Sequence, residues 1–420
     1  MKVIIAGAGI GGLTAALMLH QRGIECRIYE HASKVREVGV GINTLPHAIR
    51  ELADLGLLPA LDAVGVRTRE LFYLNKQGQE VWRELRGLDA GHTVPQFSIH
   101  RGRLQKVLYD AVIDRLGHDA VVTGASLAGF LQDEGGVTAH FVDSLKGAGS
   151  RTVRGEVLVC ADGIHSAGRR AFYPDEGAPH WNGVAMWRGA TDWPVWRDGK
   201  SMAIGGGMGG KFVLYPIAPA QGGRQLMNWV VNVRIAPDGS SPPNRESWSR
   251  PAYRADVLPH STRFMVPGCD VAALVEATEQ IFEYPMCDRD PLPRWTFGRV
   301  TLMGDAAHPM YPVGSNGASQ AILDARALAD ALAYADHPRQ ALYVYEKDRL
   351  PKTAEIVHLN RKGGPERVID EAEKRSPKGF DAIDEVMSRA EREAIVGTYA
   401  GKAGFSVSDL RSRVAGARAR

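Results

Sequence analysis

The stretch that decides the fold is "MKVIIAGAGIGGLTAALMLHQRGIECRIYE", residues 1–30. Its β-branched run Val3–Ala6 reads as a short buried strand, Leu13–Gln21 as an apolar helical pattern, and Arg27–Glu30 as a second strand. A strand, helix, strand opening predicts a right-handed crossover and a parallel sheet. Between the first strand and the helix, Gly7-Ala8-Gly9-Ile10-Gly11-Gly12 satisfies G-x-G-x-x-G. Gly7 permits the tight turn, Gly9 lets a pyrophosphate approach the backbone, Gly11 lies in the same turn, and Gly12 lets helix pack on strand. The helix N-terminus then presents unpaired N–H groups and a positive dipole end to phosphates. Glu30 closes the second strand 23 residues after Gly7, where a carboxylate takes both ribose hydroxyls and disfavours a 2′-phosphate. Together these residues predict one dinucleotide-binding fold.

Working outward, 420 residues exceed a single core and suggest two or three domains. The chain is 44% hydrophobic and 24% charged, as in ordinary soluble proteins, and its net charge of +3 is too mild to argue for nucleic acid or an anionic membrane. Cys26, Cys160, Cys269 and Cys287 form no C-x-x-C pair, which argues against a zinc site or disulfide scaffold and for reduced thiols in the cytoplasm. Lys2 alone makes a poor signal-peptide basic region, glycines interrupt the apolar N-terminus, and no apolar run reaches the roughly 18 residues of a membrane span. A soluble cytoplasmic protein with no metal site is expected.

Leu104–Leu116 reads as an amphipathic helix and "EVLVCADG", residues 156–163, as a strand buried on both faces. Between about 180 and 290 the texture changes. Trp187, Trp193, Trp196, Trp229 and Trp248 lie there, and runs such as "KFVLYPI" and "NWVVNV" suggest antiparallel strands. After about residue 326 the chain reads as helical, with a charge-rich, frayed tail from about Lys362 to "RSRVAGARAR". A second G-x-G-x-x-G, Gly205–Gly210, lies between two strand-like runs and so reads as a hairpin or loop.

Two further strand ends carry carboxylates. Asp162 follows "EVLVCA" and reads either as a contact for cofactor hydroxyls or as a helix N-cap. In "GRVTLMGDAAHPMYPVGSNGASQAILDA", residues 298–325, the run Val300–Met303 stops on Gly304-Asp305 and a helix resumes near Ala318. A carboxylate at the carboxyl end of a parallel strand sits where such sheets bind ligands, and it needs partners such as ribityl hydroxyls. The loop from Pro312 to Gly317 brings backbone N–H groups near an anionic ring edge. Gly314 and Gly317 read as room for a flat ring close against that backbone.

These three motifs, in this order, resemble the class A flavoprotein monooxygenases, the aromatic-hydroxylase family, over Met1 to about residue 360. "MWRG", 186–189, and "YPMCDRDPLPRW", 284–295, add to the likeness, which leans toward the phenazine-type and then the salicylate-type members. The resemblance implies an α/β fold: a Rossmann-type FAD-binding domain with a parallel sheet, a mainly antiparallel β-sheet substrate domain, and a helical C-terminal region. Residues 1–75, 100–180 and 290–360 would form the discontinuous FAD-binding domain, 76–99 and 181–289 the substrate domain, and 361–420 a helical tail. It places Arg101 at the pyrophosphate and flavin side, and Val40 and Gly41 of "EVGVGI" beside the ring. Asp305 falls on the ribityl chain, and Pro312, Gly314, Gly317 and Ala318 face the ring. Where many phenol-hydroxylating relatives carry His four residues before the Tyr matching Tyr215, this chain has Lys211, and Gly168 replaces a branched aliphatic and reads as a loosened helix turn.

The implied activity uses NADH or NADPH as a transient electron donor and dioxygen to hydroxylate an aromatic or N-heteroaromatic, carboxylated small molecule through a flavin hydroperoxide, with or without decarboxylation. Tyr215 is the candidate substrate-orienting hydroxyl and Arg188 the candidate carboxylate holder. His47, Trp187, Trp229, Tyr284, Met286 and Met310 are further substrate-lining candidates. A monomer or homodimer is expected. The alternatives are an NAD-dependent dehydrogenase, which leaves Asp162 and Asp305 idle, and a non-oxygenating flavin oxidoreductase.

Overall fold

Lys2–Ala6 pairs in parallel with Glu25–Tyr29 on one side and with Val157–Cys160 on the other, and Val157–Cys160 pairs in parallel with Val300–Leu302. The computed structural model describes residues 1–35, 37, 39–143, 149–244, 247 and 250–407; Val38, Trp248 and the closing "RSRVAGARAR" lie outside the described residues. The central strands are apolar on both faces because both faces are covered. Ile10–Gln21 packs against Arg101–Leu116 and Gly317–Tyr334, and Val3, Ile4, Ile5, Leu13 and Leu158 have no solvent contact. Each such side chain contributes about 1.5–3 kcal/mol of burial. Thr296–Phe297 and Val121–Val122 complete a six-stranded sheet.

Gly168 explains itself here. A Cβ on it would lie 2.3 Å from the Cys160 sulfur, so the glycine lets the helix Ala167–Phe172 dock on the sheet. It is a close-packing residue and does not loosen the turn.

An eight-stranded sheet forms the second layer, in the order 251–252, 281–288, 180–194, 224–234, 210–216, 201–205, 70–74 and 80–85. All its pairings are antiparallel except Ser201–Gly205 with Glu70–Leu74. Glu70–Leu74 belongs to this sheet, so the boundary expected at residue 75 moves back before Glu70. Gln96–His100 pairs with Gly41–Thr44, joining the first region. The second glycine cluster is a hairpin, as its flanks predicted: Ser201–Gly205 runs antiparallel to Gly210–Pro216, and Gly206 turns with φ +84°.

Alternation divides the wide sheet's faces. Phe212, Leu214, Met227, Trp229, Val231 and Trp187 point into a core covered in part by the helix Arg254–Ser261, while Met186, Arg188, Val213, Val230 and Tyr215 point the other way. The segment after residue 361 is well packed up to residue 407: Val368, Ile369, Ala372 and Val396 form one cluster with Leu71, Tyr73 and Ile204. Among the described residues, no helix is long and apolar enough to cross a membrane.

Candidate active site

Parallel pairing brings three strand ends to one rim. Gly7–Gly9, Asp162 and Asp305 therefore face a common cavity of about 810 Å³, whose opposite wall is the wide sheet.

Gly7 has φ +104°, and a Cβ there would lie 2.4 Å from the Ala161 carbonyl oxygen. Gly9 precedes the helix Ile10–Gln21, and a Cβ on it would meet no atom within 4 Å, so its backbone is open to a ligand. Gly11 also lines the cavity. Gly12 does not. Its Cβ would lie 2.0 Å from the Gly7 carbonyl oxygen, so it serves helix-on-strand packing behind the loop and is not a wall of the cavity.

Glu30 is on the cavity wall and accepts from the Ala8 N–H at 2.6 Å and the Ala32 N–H at 2.7 Å. It braces the glycine loop, and each oxygen keeps acceptor capacity for a ribose hydroxyl. Ser166 is the N-cap of the helix Ala167–Phe172, and Asp162 lies four residues before it on the cavity wall. One Asp162 oxygen accepts from the Ala167 N–H at 2.7 Å at the start of that helix, and the other is buried with no partner. Burial raises its pKa. The Asp305 carboxylate opens onto the cavity and has no hydrogen-bond partner among the described residues. Partial desolvation at the cavity wall raises its pKa, although the side chain is exposed to the cavity and His308 and Arg101 pull the other way. Arg101 lines the same space. Open glycine backbone, an orphaned carboxylate oxygen, an unpartnered carboxylate and an arginine are a donor and acceptor set that fits an adenine dinucleotide with a hydroxylated chain.

Val40 and Gly41 line the cavity. The Gly41 N–H donates to Asn228 Oδ1 at 2.6 Å, and a Cβ on Gly41 would lie 2.6 Å from the Tyr215 ring. This glycine is required by the wide sheet as much as by any ligand. Pro312, Gly317 and Ala318 also line the cavity, and the space beside Gly317 holds only Met310 at 3.9 Å. Gly314 has a different cause from the one expected. Its φ is +65°, and the room its missing Cβ leaves is taken by Tyr399, whose hydroxyl would lie 2.4 Å away.

A buried ionic network that sequence reasoning missed supports Gly304-Asp305 from behind. Asp324 accepts from the Gly304 N–H at 3.1 Å, from Arg349 Nε at 2.8 Å, and bonds His308 Nε2 at 2.5 Å. Burial alone would push the Asp324 carboxyl up, but His308 and Arg349 together hold it down at about 2. A lone Asp in the apolar run "AILDA" was the available signal. Asp324→Ala, which leaves Arg349 buried without its partner, is expected to cost about 3–5 kcal/mol, read by urea unfolding at pH 7. The folded pKa is depressed below the ordinary 3.8, so the contribution is present above about pH 4 and the difference between parent and variant shrinks as pH falls toward 2.

On the opposite wall, Arg188, Tyr215 and Met310 line the cavity as expected. Burial, then neighbouring Arg101, holds the Arg188 pKa down to about 9. Burial raises that of Tyr215, which therefore stays a neutral hydroxyl donor. Five expected lining residues, Tyr284 among them, do not line the cavity. Trp187 and Trp229 fall on the far face of the sheet by strand alternation, Trp187 stacked on His260 at 5.3 Å and Trp229 donating to Thr278 at 2.8 Å. Met286 packs with Val184, Tyr311 and Val313, and His47 sits behind the wall near Phe405 and Gln320. Tyr284 lies in register beside Met186. The residues that do line this wall were legible as polar positions on the alternate face: Asn232 pairs in register with both Met186 and Lys211. Lys211 makes a buried ion pair with Glu366, and beyond it Tyr73 donates to Glu84 at 3.0 Å and accepts from Arg86 at 3.1 Å.

A flavin-type cradle facing a sheet with a buried cation defines a flavin-dependent hydroxylase of aromatic rings, an oxidoreductase with FAD as its cofactor. The chain belongs to the family described as FAD binding domain, whose model matches residues 1–360. It is similar to the phenazine 1,6-dicarboxylic acid hydroxylase PhzS of Lysobacter antibioticus, 46% identical over 364 residues, covering 86% of this chain and 89% of that protein. It is also similar to the aurachin C monooxygenase/isomerase of Stigmatella aurantiaca, 33% identical over 362 residues, covering 85% and 87%. In fold it matches Klebsiella pneumoniae HpxO complexed with FAD and uric acid, with a TM-score of 0.74 at 24% identity over 96% of both chains. Family membership sets aside the NAD-dependent dehydrogenase alternative.

Proposed function

We propose that this chain hydroxylates a flat, carboxylated N-heteroaromatic ring of the phenazine class, taking electrons from NADH or NADPH and one oxygen atom from dioxygen. Ring C–H, dioxygen, NAD(P)H and a proton give ring C–OH, NAD(P)⁺ and water. Where the attacked carbon bears the carboxylate, a second proton is taken up and carbon dioxide leaves. FAD, held by Gly7, Gly9, Gly11, Glu30, Arg101, Asp162 and Asp305 and faced by Val40, Gly41, Pro312, Gly314, Gly317 and Ala318, supplies the transfer of electrons from nicotinamide and the activation of dioxygen.

The observation that carries this reading is Arg188, a buried cation on the cavity wall facing the cradle, set among Met186, Val213 and Val230. A desolvated guanidinium beside a second arginine favours an anionic guest. An aromatic carboxylate meets it with charge-assisted hydrogen bonds contributing about 1.5–3 kcal/mol. Tyr215 orients a ring substituent by donating from its hydroxyl. Met186, Met202, Ile204, Val213 and Val230 supply an apolar bed for a planar ring system and exclude water from it. The likeness to a phenazine hydroxylase points to the same ring class.

The test is oxidation of NADH and of NADPH by the purified flavoprotein across phenazine, salicylate, pyridine and indole carboxylic acids, with hydroxylated product quantified. A sharp rate increase with stoichiometric product from a phenazine acid is expected. Nicotinamide oxidation yielding only peroxide with every acid would favour a non-oxygenating flavin oxidoreductase.

A further inference from the structure

The wall that carries Arg188 has a second polar group, which the chemistry described so far leaves idle. On that face Arg188 pairs with Val230 and Val230 with Val213, while Met186 pairs with Asn232 and Asn232 with Lys211. Lys211 therefore lies two strands across and two residues along from Arg188, about 12 Å between Cα atoms, with Val213 and Val230 between them. All of these residues line the cavity. A fused ring system lying on the two valines can reach both ends at once.

The two ends differ in charge. Arg188 is a buried cation beside a second arginine. At the far end Lys211, 4% exposed, is already balanced by Glu366, 2% exposed, and the next ion pair on the wall, Arg86 with Glu84, is balanced too. Glu366 comes from the segment after the family match, which ends at residue 360. The far end nevertheless keeps unused hydrogen-bonding groups. A lysine ammonium has three donors, and Lys211 gives one of them to Glu366. Asn232 is 3% exposed, and its side-chain oxygen is buried with no partner. A buried acceptor left unpaired is costly, so its place on a cavity wall points to a ligand group as the partner.

We propose that Lys211, Glu366 and Asn232 form a specificity subsite that admits an uncharged hydroxyl on the far side of the ring and rejects a second carboxylate. This rests on the reading that Arg188 holds the first carboxylate. A hydroxyl accepts from a spare Lys211 N–H and donates to the Asn232 oxygen, so both are satisfied with no change of charge. A carboxylate has no proton to give Asn232, and it places a second negative charge beside Glu366 where charge is poorly solvated. Glu366, by neutralising Lys211, sets the selection.

The experiment measures dissociation constants for the FAD-loaded protein, by perturbation of the flavin absorbance. The probes are a phenazine monocarboxylate, the same acid bearing a hydroxyl on the far ring, and the corresponding dicarboxylate. The parent is expected to bind the hydroxylated acid about 2- to 12-fold more tightly than the unsubstituted one, the range of one neutral hydrogen bond, and the dicarboxylate about tenfold more weakly than the hydroxylated acid. Glu366→Gln leaves the Lys211 charge unbalanced, so there the dicarboxylate should bind more tightly than the hydroxylated acid. A parent that binds the dicarboxylate as tightly as the hydroxylated acid, or a Glu366→Gln protein that keeps the parent's order, would overturn the inference. Asn232→Leu removes the orphaned acceptor with a side chain of similar shape and leaves the ion pair in place. It should erase most of the hydroxylated acid's advantage over the unsubstituted one. If Glu366→Gln does not accumulate folded, this variant decides: loss of that advantage supports the subsite and an undiminished advantage overturns it. Arg188→Met separates the two readings. An unsubstituted acid that binds Arg188→Met as tightly as the parent refutes the Arg188 reading, and the inference with it. Weakened binding there, together with a parent that does not discriminate among the three acids, refutes only the subsite.

Discussion

Asp305→Ala is expected to weaken FAD binding by about 10- to 150-fold, the effect of losing charge-assisted hydrogen bonds contributing about 1.5–3 kcal/mol. The carboxylate stands at the end of the strand Val300–Leu302, opens onto the cavity, and has no hydrogen-bond partner among the described residues. The FAD-free protein should behave in the opposite way. Desolvation at the cavity wall raises the Asp305 pKa in the folded state, so its charged form slightly disfavours folding at neutral pH, an effect kept small by its exposure to the cavity, and that cost disappears as pH falls through the raised value and then the ordinary 3.8. The alanine variant without FAD should therefore melt no lower than the parent at pH 7, and the two should converge in acid. Flavin fluorescence titration and thermal melts with and without FAD read both halves. Tight FAD retention by the variant, or a large loss of stability without FAD, would mean that Asp305 is a structural residue.

Arg188→Met is expected to lower kcat/KM for a carboxylated ring by about 10- to 150-fold through KM, from the same range for a hydrogen bond to a charged group. Methionine fills much of the volume and relieves an arginine whose pKa burial and Arg101 hold down to about 9, so the fold should tolerate the change. FAD content should not move, and a ring lacking the carboxylate should be turned over by parent and variant alike. Steady-state kinetics on a matched pair, one ring with the carboxylate and one without, reads the difference. Equal losses on both rings would place Arg188 in general packing.

How far these sites were legible follows from which contacts are local in the chain. The cradle was legible because each of its parts is a strand end with its own punctuation: Gly7, Asp162 and Asp305 follow Ala6, Cys160 and Leu302 closely, and parallel pairing does the rest. The ring-facing wall was read in part: Arg188 and Tyr215 were named and line the cavity, while the tryptophans were placed on the wrong face. Aromatic size drew attention to Trp187 and Trp229, whereas strand alternation sends them into the core and turns Arg188, Val230 and Asn232 toward the cavity. Asn228 and Asn232, four apart in "MNWVVNV", were a usable sign, since polar residues at period two mark the other face.

The least legible contacts span the chain. Lys211 meets Glu366 across 155 positions and Tyr399 meets Asn316 across 83, and neither pair has a local signature. Gly314 shows the limit well. Its positive φ was inferable from a glycine in a turn, but the tyrosine filling the space beside it comes from a segment that read as a frayed tail.

The central claim is that one cavity holds FAD against the strand ends and an aromatic acid against Arg188. The measurement that tests it most directly is a crystal structure of the FAD-loaded protein with a phenazine carboxylate bound. The ring is predicted to lie between the flavin and the face bearing Met186, Val213 and Tyr215, with its carboxylate within hydrogen-bonding distance of the Arg188 guanidinium. A ring bound on the Trp187 and Trp229 face, or a carboxylate turned away from Arg188, would contradict the account.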